Sequence, residues 1–195
     1  MRKVTLATVA ALWALLAVPA QAGSVDGAKA FVRGVASDVL DIVKGGGSTD
    51  AQQEALLGVV NRSVDIDFVA KFVLGRHWRS ATDDQRQRYL VAYRPFLKKN
   101  YVSRLTRYSG QKFKVNGARQ DSDGSYVVTM DIIDPNAANV AMLYRVVEQG
   151  GDYLISDIVV EGVSLLATQR SEFNSIAQSK GVDYLIQALE KQGAR

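Results

Sequence analysis

Residues 73–115 read VLGRHWRSATDDQRQRYLVAYRPFLKKNYVSRLTRYSGQKFKV. The stretch passes from a helix end at Gly75, through a capped helix, to the entry of a strand. Thr82-Asp83-Asp84-Gln85 matches a capping box, with Thr82 as cap and Gln85 three residues on. The acidic pair suits the positive end of a helix. Leu90, Tyr93, Leu97, Tyr101, Leu105 and Tyr108 then recur at steps of three and four. That stripe predicts a helix of about five turns. Pro95 sits inside it and cannot donate to the Val91 carbonyl, so a kink or break is expected there.

Upstream of this stretch the chain reads as helices. Ala28, Val32, Val35, Val39 and Ile42 lie at helical spacing, and Gly45-Gly46-Gly47 stops them. No Gly-Lys-Ser/Thr follows the glycines, so a helix terminator is the better reading than a phosphate cradle. Ser48, Thr49 and Asp50 offer caps for a second helix carrying Leu56, Leu57 and Val60. Ser63 can cap a short third helix bearing Phe68, Val69, Phe72 and Val73, with Asp65 and Asp67 in its first turn.

Downstream it reads as strands. Residues 111–119, 125–133, 139–148 and 153–160 are separated by Asp121-Ser122-Asp123-Gly124, Asp134-Pro135-Asn136 and Gly150-Gly151-Asp152. Such short connections favour an antiparallel meander. Phe113 and Val115 alternate with Lys112, Lys114 and Asn116. Tyr126, Val128, Met130 and Ile132 share one face. Ser164 can cap a helix carrying Leu165, Leu166, Phe173 and Ile176 and ending near Gly181. A last helix presents Leu185, Ile186 and Leu189. The order of elements gives one α+β domain, an antiparallel curved sheet of about four strands packed against helices.

The N-terminus sets the expected compartment. Arg2 and Lys3 precede an apolar run from Val4 to Val18, and Pro19 leads into Ala20-Gln21-Ala22. This is the three-part layout of a secretory signal, expected to be cleaved after Ala22, leaving residues 23–195 as the single domain. The run is shorter than the roughly 20 residues that span a bilayer. The 24 basic and 20 acidic side chains of the 195 residues give +4, and losing Arg2 and Lys3 leaves 22 − 20 = +2. So mild a balance gives no case for nucleic acid. With no cysteine, neither disulfides nor thiolate metal sites are available.

Catalytic patterns are sparse. His77 is the sole histidine, and no G-x-S-x-G elbow supplies a serine partner. Acidic residues are scattered without ligand spacing, so no metal site is expected. Asp131 and Asp157, within strands, are either surface residues or partners of an arginine. The tyrosines and methionines read first as core, yet both types also suit an adaptable apolar cavity. The basic run Lys98, Lys99, Arg104, Arg107, Lys112, Lys114 and Arg119 reads as a solvated face or as a surface for anionic headgroups. Arg76, Trp78 and Arg79 either tie helix ends together or contact a headgroup or partner.

Several of these residues also carry a likeness. Leu74, Gly75, Arg76, Trp78, Arg79, Gln85, Arg86, Tyr89, Tyr108, Ser109, Gly110 and Gln111 follow the hallmark block of the MlaC family of periplasmic phospholipid-binding proteins. The chain resembles that family there and again in VVEGVSLLATQRSEFNSIAQSKGVDYLIQAL near its C-terminus. It departs at His77, where the family more often has an aromatic such as tyrosine. The resemblance implies an NTF2-like cone variant in the periplasm of a Gram-negative bacterium, expected as a monomer, without cofactor and without catalysis. It implies a bound glycerophospholipid, passed between an inner-membrane ABC transporter complex bearing an MCE-domain subunit and an outer-membrane lipoprotein complex, which maintains outer-membrane lipid asymmetry. Helix and strand phase then nominate Phe72, Tyr93, Leu97, Tyr101, Leu105, Val128, Met130, Met142, Tyr144, Ile155, Ile158, Leu166 and Phe173 as a lipid-lining set between sheet and helices. Two other readings stand beside this one: a periplasmic interaction module with a filled core, and an enzyme on the same cone using Asp131, Asp157 or His77.

Overall fold

The computed structural model describes residues 23–102 and 111–193. The expected secretion signal, Leu105 and Tyr108 lie outside the described residues, as does the side chain of Tyr101. Five helices come first: α1 (Val25–Lys44), α2 (Thr49–Ser63), α3 (Ile66–Leu74), α4 (Arg76–Ser80) and α5 (Asp83–Leu97), followed by a π-helical turn, Lys98–Val102. The strands are β1 (Lys112–Gln120), β2 (Tyr126–Ile133), β3 (Val140–Gln149), β4 (Asp152–Val160) and β5 (Val163–Ser164). Two helices close the chain, α6 (Leu165–Lys180) and α7 (Val182–Gly193).

Side-chain caps fix most helix starts. Ser24, Ser48 and Ser164 accept from the N–H groups of Gly27, Ala51 and Ala167. Thr82 and Gln85 form both halves of the capping box. The third helix corrects the reading. Its cap is Asp65, which accepts from the Phe68 N–H at 3.0 Å. Ser63 instead ends α2, buried, with its Oγ donating to the Val59 carbonyl. The cap moves two residues because Val64 leaves the helix extended and pairs with Ile155 of β4, while the Asp65 N–H donates to the Ile155 carbonyl.

The buried faces also shift. In α3 they are Ile66, Ala70, Val73 and Leu74, and Phe68 is 43% exposed rather than inward. In α5 they are Tyr89, Ala92, Tyr93 and Phe96, while Leu90 and Leu97 are only partly buried. The long predicted helix does not break at Pro95. It stays α-helical to Leu97 and then widens into the π turn, with the Lys98 N–H shared between the Arg94 and Pro95 carbonyls.

The sheet runs β1-β2-β3-β4-β5, every neighbour antiparallel. It has five strands rather than four, since two residues after the Glu161-Gly162 turn fold back on Val159 and Val160. Two bulges interrupt it, one between Val115 and Gly117 and one where Arg145 and Val146 pair with Asp157 and Ile155. Each inserts one unpaired residue and so switches which residues face inward.

Two apolar clusters result. In the first, α1 lies on the sheet, its Ala28 and Val32 against Tyr126, Val128 and Val146. The Tyr153 hydroxyl pins its start, accepting from the Ser24 N–H at 2.6 Å and donating to the Ser24 carbonyl at 3.1 Å. That approach requires Gly27, since a Cβ there would collide with the same hydroxyl. The second cluster is helical and joins α3, α5, α6 and α7 through Leu74, Tyr89, Tyr93, Phe96, Phe173, Leu185, Ile186 and Leu189. Its aromatic rings meet edge to face, as Tyr89, Tyr93 and Phe96 each do with Phe173.

Candidate functional site

The sheet register places apolar residues in rows. Directly paired residues share a face, so each row crosses the inner surface. One row is Phe113, Ile132 and Val140. The next is Val115, Met130, Met142 and Val160, and a third is Ala118, Val128, Tyr144 and Ile158. The fourth is Gln120, Tyr126, Val146 and Ile155. Helix α1 covers the third and fourth rows. In the first two, Phe113, Ile132, Val140, Met142 and Val160 are only partly buried, while Met130 is 1% exposed. Helix α6 begins at this end of the sheet, with Leu165 and Leu166 partly buried.

A polar clasp holds that helix start. Asp157 accepts from the Ser164 Oγ at 2.7 Å and from the Leu166 N–H at 3.2 Å. Its carboxylate is thereby committed to the first turn of α6, where negative charge is favoured. Asp131 lies opposite Lys114 and Ala141, on the face away from the rows. His77 sits on α4, part-buried, with its Nε2 lacking a hydrogen-bond partner. Among the described residues, no three histidine or acidic side chains are grouped to hold a metal ion.

Eleven of the thirteen candidates have described side chains, and these divide between the two surroundings. Val128, Met130, Met142, Tyr144, Ile155 and Ile158 share the inner sheet face. Leu166, in the first turn of α6, packs on the helical cluster. Tyr93 and Phe173 belong instead to the helical cluster, where the Tyr93 hydroxyl donates to Gln169 Oε1 at 2.6 Å. Phe72 lies under the Arg170 guanidinium, 4.4 Å from its ring centroid. Leu97 packs on the helical cluster. Sequence reasoning missed Phe113, Ile132 and Val160 on the rows. The alternation of β1 and β2 points to the first two, and the bulge in β4 obscures the third.

The Arg-aromatic-Trp-Arg segment has two characters. Trp78 packs against the helical cluster, edge to face with Tyr89 at 6.4 Å. Arg86 reaches back from α5: its Nε donates to the Trp78 carbonyl at 3.0 Å and its Nη2 to the Arg79 carbonyl at 3.2 Å. The Tyr89 hydroxyl donates to the Ala70 carbonyl at 2.9 Å. Trp78, Arg86 and Tyr89 therefore lock α3, α4 and α5 together. Arg76 and Arg79 are exposed, and Arg76 donates to Gln178 Oε1 at 2.9 Å. Gly75 makes the α3–α4 corner with φ +59°, and Arg170 lies 3.3 Å from where a Cβ would sit.

An antiparallel sheet with an apolar inner face, roofed by helices over half its rows and backed by a separate helical core, defines an α+β protein built around one sheet surface. The chain belongs to the MlaC protein family, whose model matches residues 33–191. It is 24% identical over 136 residues to the intermembrane phospholipid transport system binding protein MlaC of Haemophilus influenzae, covering 68% of this chain and 64% of that one. It is 26% identical over 135 residues to the toluene tolerance protein ttg2D of Pseudomonas putida, covering 69% and 63%. The matched region thus spans less than two thirds of the length of either relative. Among solved structures it is similar to a phospholipid-binding protein of Ralstonia solanacearum in complex with a phospholipid. There the TM-score is 0.75 and the identity 25%, over 86% of this chain and 97% of the other.

Proposed function

We propose that this protein carries glycerophospholipid, with acyl chain seated against the first two rows of the inner sheet face. The supporting observation is the partly buried apolar surface of Phe113, Ile132, Met142 and Val160 beside the start of α6. Each methylene kept from water contributes about 0.8 kcal/mol, so two chains of roughly sixteen carbons represent on the order of 25 kcal/mol. A carrier in water must cover nearly all of that, and a cavity resembling the bilayer interior keeps uptake and release close to balance. Met130 and Met142, paired across β2 and β3, suit chains of varied shape.

In this reading residues 1–22 direct secretion to the periplasm and residues 23–195 form the carrier domain. The protein receives lipid from one membrane complex and delivers it to another: an inner-membrane ABC transporter with an MCE-domain subunit, and an outer-membrane lipoprotein complex. Its work sustains outer-membrane lipid asymmetry. Arg76 and Arg79 supply exposed charge for headgroup or partner, whereas Trp78 serves the helical core. No catalytic step is assigned, and Asp157 acts as the clasp of α6.

Native mass spectrometry of the protein purified from a bacterial periplasm, with denaturing release of ligand, tests the proposal. Glycerophospholipid adducts on the wild type, lost in a folded Met142→Lys variant, are expected. A clean apo mass with no uptake from phospholipid vesicles would favour the ligand-free interaction module instead.

A further inference from the structure

A second polar feature lies outside the sheet. Arg76 on α4 faces one side of α6, and between them opens a cleft of about 510 Å³ lined by Arg76, Arg170, Ser171, Asn174, Ser175 and Gln178. The α6 residues fall at positions i, i+1, i+4, i+5 and i+8, which form one continuous stripe along a helix. Two guanidinium groups share this cleft, and no carboxylate lines it. Among the described residues, neither arginine makes an ion pair, whereas Arg62, Arg86, Arg88, Arg94, Arg119 and Arg145 all do.

Arg170 is also held in place. Its guanidinium stacks over the Phe72 ring at 4.4 Å and fits against Gly75, where the missing Cβ makes room. Arg76 is steadied by Gln178 at 2.9 Å. Glu172 on α6 is exposed and does not line the cleft, while Asp67 pairs with Arg94, Asp65 with the Phe68 N–H and Gln149, and Asp183 with Arg88 and Gln85.

We propose that this cleft is a binding site for a phosphate-type oxyanion. Arg76 and Arg170 take its charge in forked hydrogen bonds, and Ser171 and Ser175 offer hydroxyl donors. Paired guanidinium forks match phosphate oxygens, and fixing one fork beforehand lowers the cost of binding. The site involves none of the sheet rows, so it stands whether or not acyl chain occupies them. The phosphate can belong to a lipid headgroup or to a free soluble phosphate.

The test is titration of the mature protein at constant ionic strength, following arginine Nε–H and glutamine side-chain resonances by NMR. The probes are inorganic phosphate and sn-glycero-3-phosphoglycerol, with chloride as the reference anion. Saturating shifts at Arg76, Arg170 and Gln178 with either phosphate, but not with chloride, are expected. Arg76→Gln and Arg170→Lys should each weaken binding about tenfold, because a charged forked bond is lost in both. Arg33→Gln, which removes the same charge from an exposed position on α1, should leave binding unchanged. Tighter binding of the glycerophosphodiester assigns the site to headgroups, and tighter binding of inorganic phosphate assigns it to a soluble ligand. Shifts no larger than those with chloride, or equal weakening by Arg33→Gln, would overturn the proposal. Arg76→Gln, at an exposed residue, keeps the test decisive if the Arg170 variant unfolds.

Discussion

Arg86 offers the sharpest test of how the hallmark segment is held together. Its guanidinium donates to two carbonyls at the end of α4, those of Trp78 and Arg79, and to Asp83 Oδ1 at 3.0 Å. It also lies 5.6 Å from the Trp78 ring centroid. The Asp83 pair contributes little, because Asp83 is 98% exposed and water screens it. The two carbonyl bonds matter more, since a charged donor satisfies groups that a five-residue helix leaves unpaired. Part of that gain is recovered from water when the side chain is removed. Arg86→Ala should therefore cost about 2 kcal/mol, or a fall in Tm of roughly 4–8 °C for a domain of this size. Arg86→Lys keeps the charge but cannot reach both carbonyls from one planar group, so it should restore less than half the loss. Thermal and urea unfolding followed by circular dichroism reads both variants. Were Arg86→Ala to unfold within about 1 °C of wild type, the fork would not be structural and Arg86 would be free to serve a partner. An Arg86→Lys variant as stable as wild type would show that charge alone suffices.

Three further outcomes follow from the same packing. Burial, reinforced by the neighbouring Tyr93 phenol, pushes ionisation of Tyr89 far above the usual tyrosine range. Above pH about 10 the unfolded chain loses a proton that the folded chain keeps, so stability should fall by up to about 1.4 kcal/mol per pH unit. Urea unfolding of Tyr89→Phe should show a shallower alkaline fall, with a cost near 1 kcal/mol at neutral pH for the lost bond to Ala70. At the β1–β2 turn, Arg119 first and then Arg145 hold the Asp121 carboxyl below its ordinary range. Bonds from Ser125 do most of the same for Asp123, with Arg145 adding to them. Their stabilisation is present above the unfolded carboxylate range near pH 4 and is lost as pH falls through the lowered folded values. Arg145→Ala should flatten that acid limb in a pH series of melts. Gly75→Ala combines a φ of +59° with a close approach to Arg170, and a destabilisation of at least about 1 kcal/mol is expected by chemical denaturation.

Most of the architecture is legible in the sequence because local chemistry punctuates it. Ser24, Ser48, Thr82 with Gln85, and Ser164 start helices, and the Asp-Gly and Gly-Gly turns separate β1 from β2 and β3 from β4. The failures occur where tertiary pairing overrides a local preference. Ser63 is as good a cap by type as Asp65, but the pairing of Val64 with Ile155 selects the latter. The bulges at residues 116 and 156 leave no mark in composition, yet each reverses the inward face of the strand beyond it. This is why Ile155 and Ile158, three residues apart, share a surface. Strand β5 is too short to show a period. Helical phase separates buried from exposed residues, but it cannot tell which of two clusters they enter, so it nominates Tyr93 and Phe173 for a cavity between sheet and helices although both lie in the helical cluster. The cleft between Arg76 and Arg170 joins positions far apart in the chain, and no spacing in the sequence announces it.

The split of the helical core around the sheet bears on biogenesis. Helices α3 and α5 are made before any strand, while α6 and α7 come last. Tyr93 awaits Gln169, 76 residues later, and Arg76 awaits Gln178, 102 residues later. Contacts of such separation form slowly. In a chain emerging N-terminus first, Leu74, Tyr89 and Phe96 therefore remain uncovered until Phe173, Leu185 and Leu189 have followed. The α1–sheet layer needs nothing beyond β4, so it can close first. A protein truncated before α7 would keep that layer and lose its second core, leaving a sticky surface for quality-control machinery to recognise.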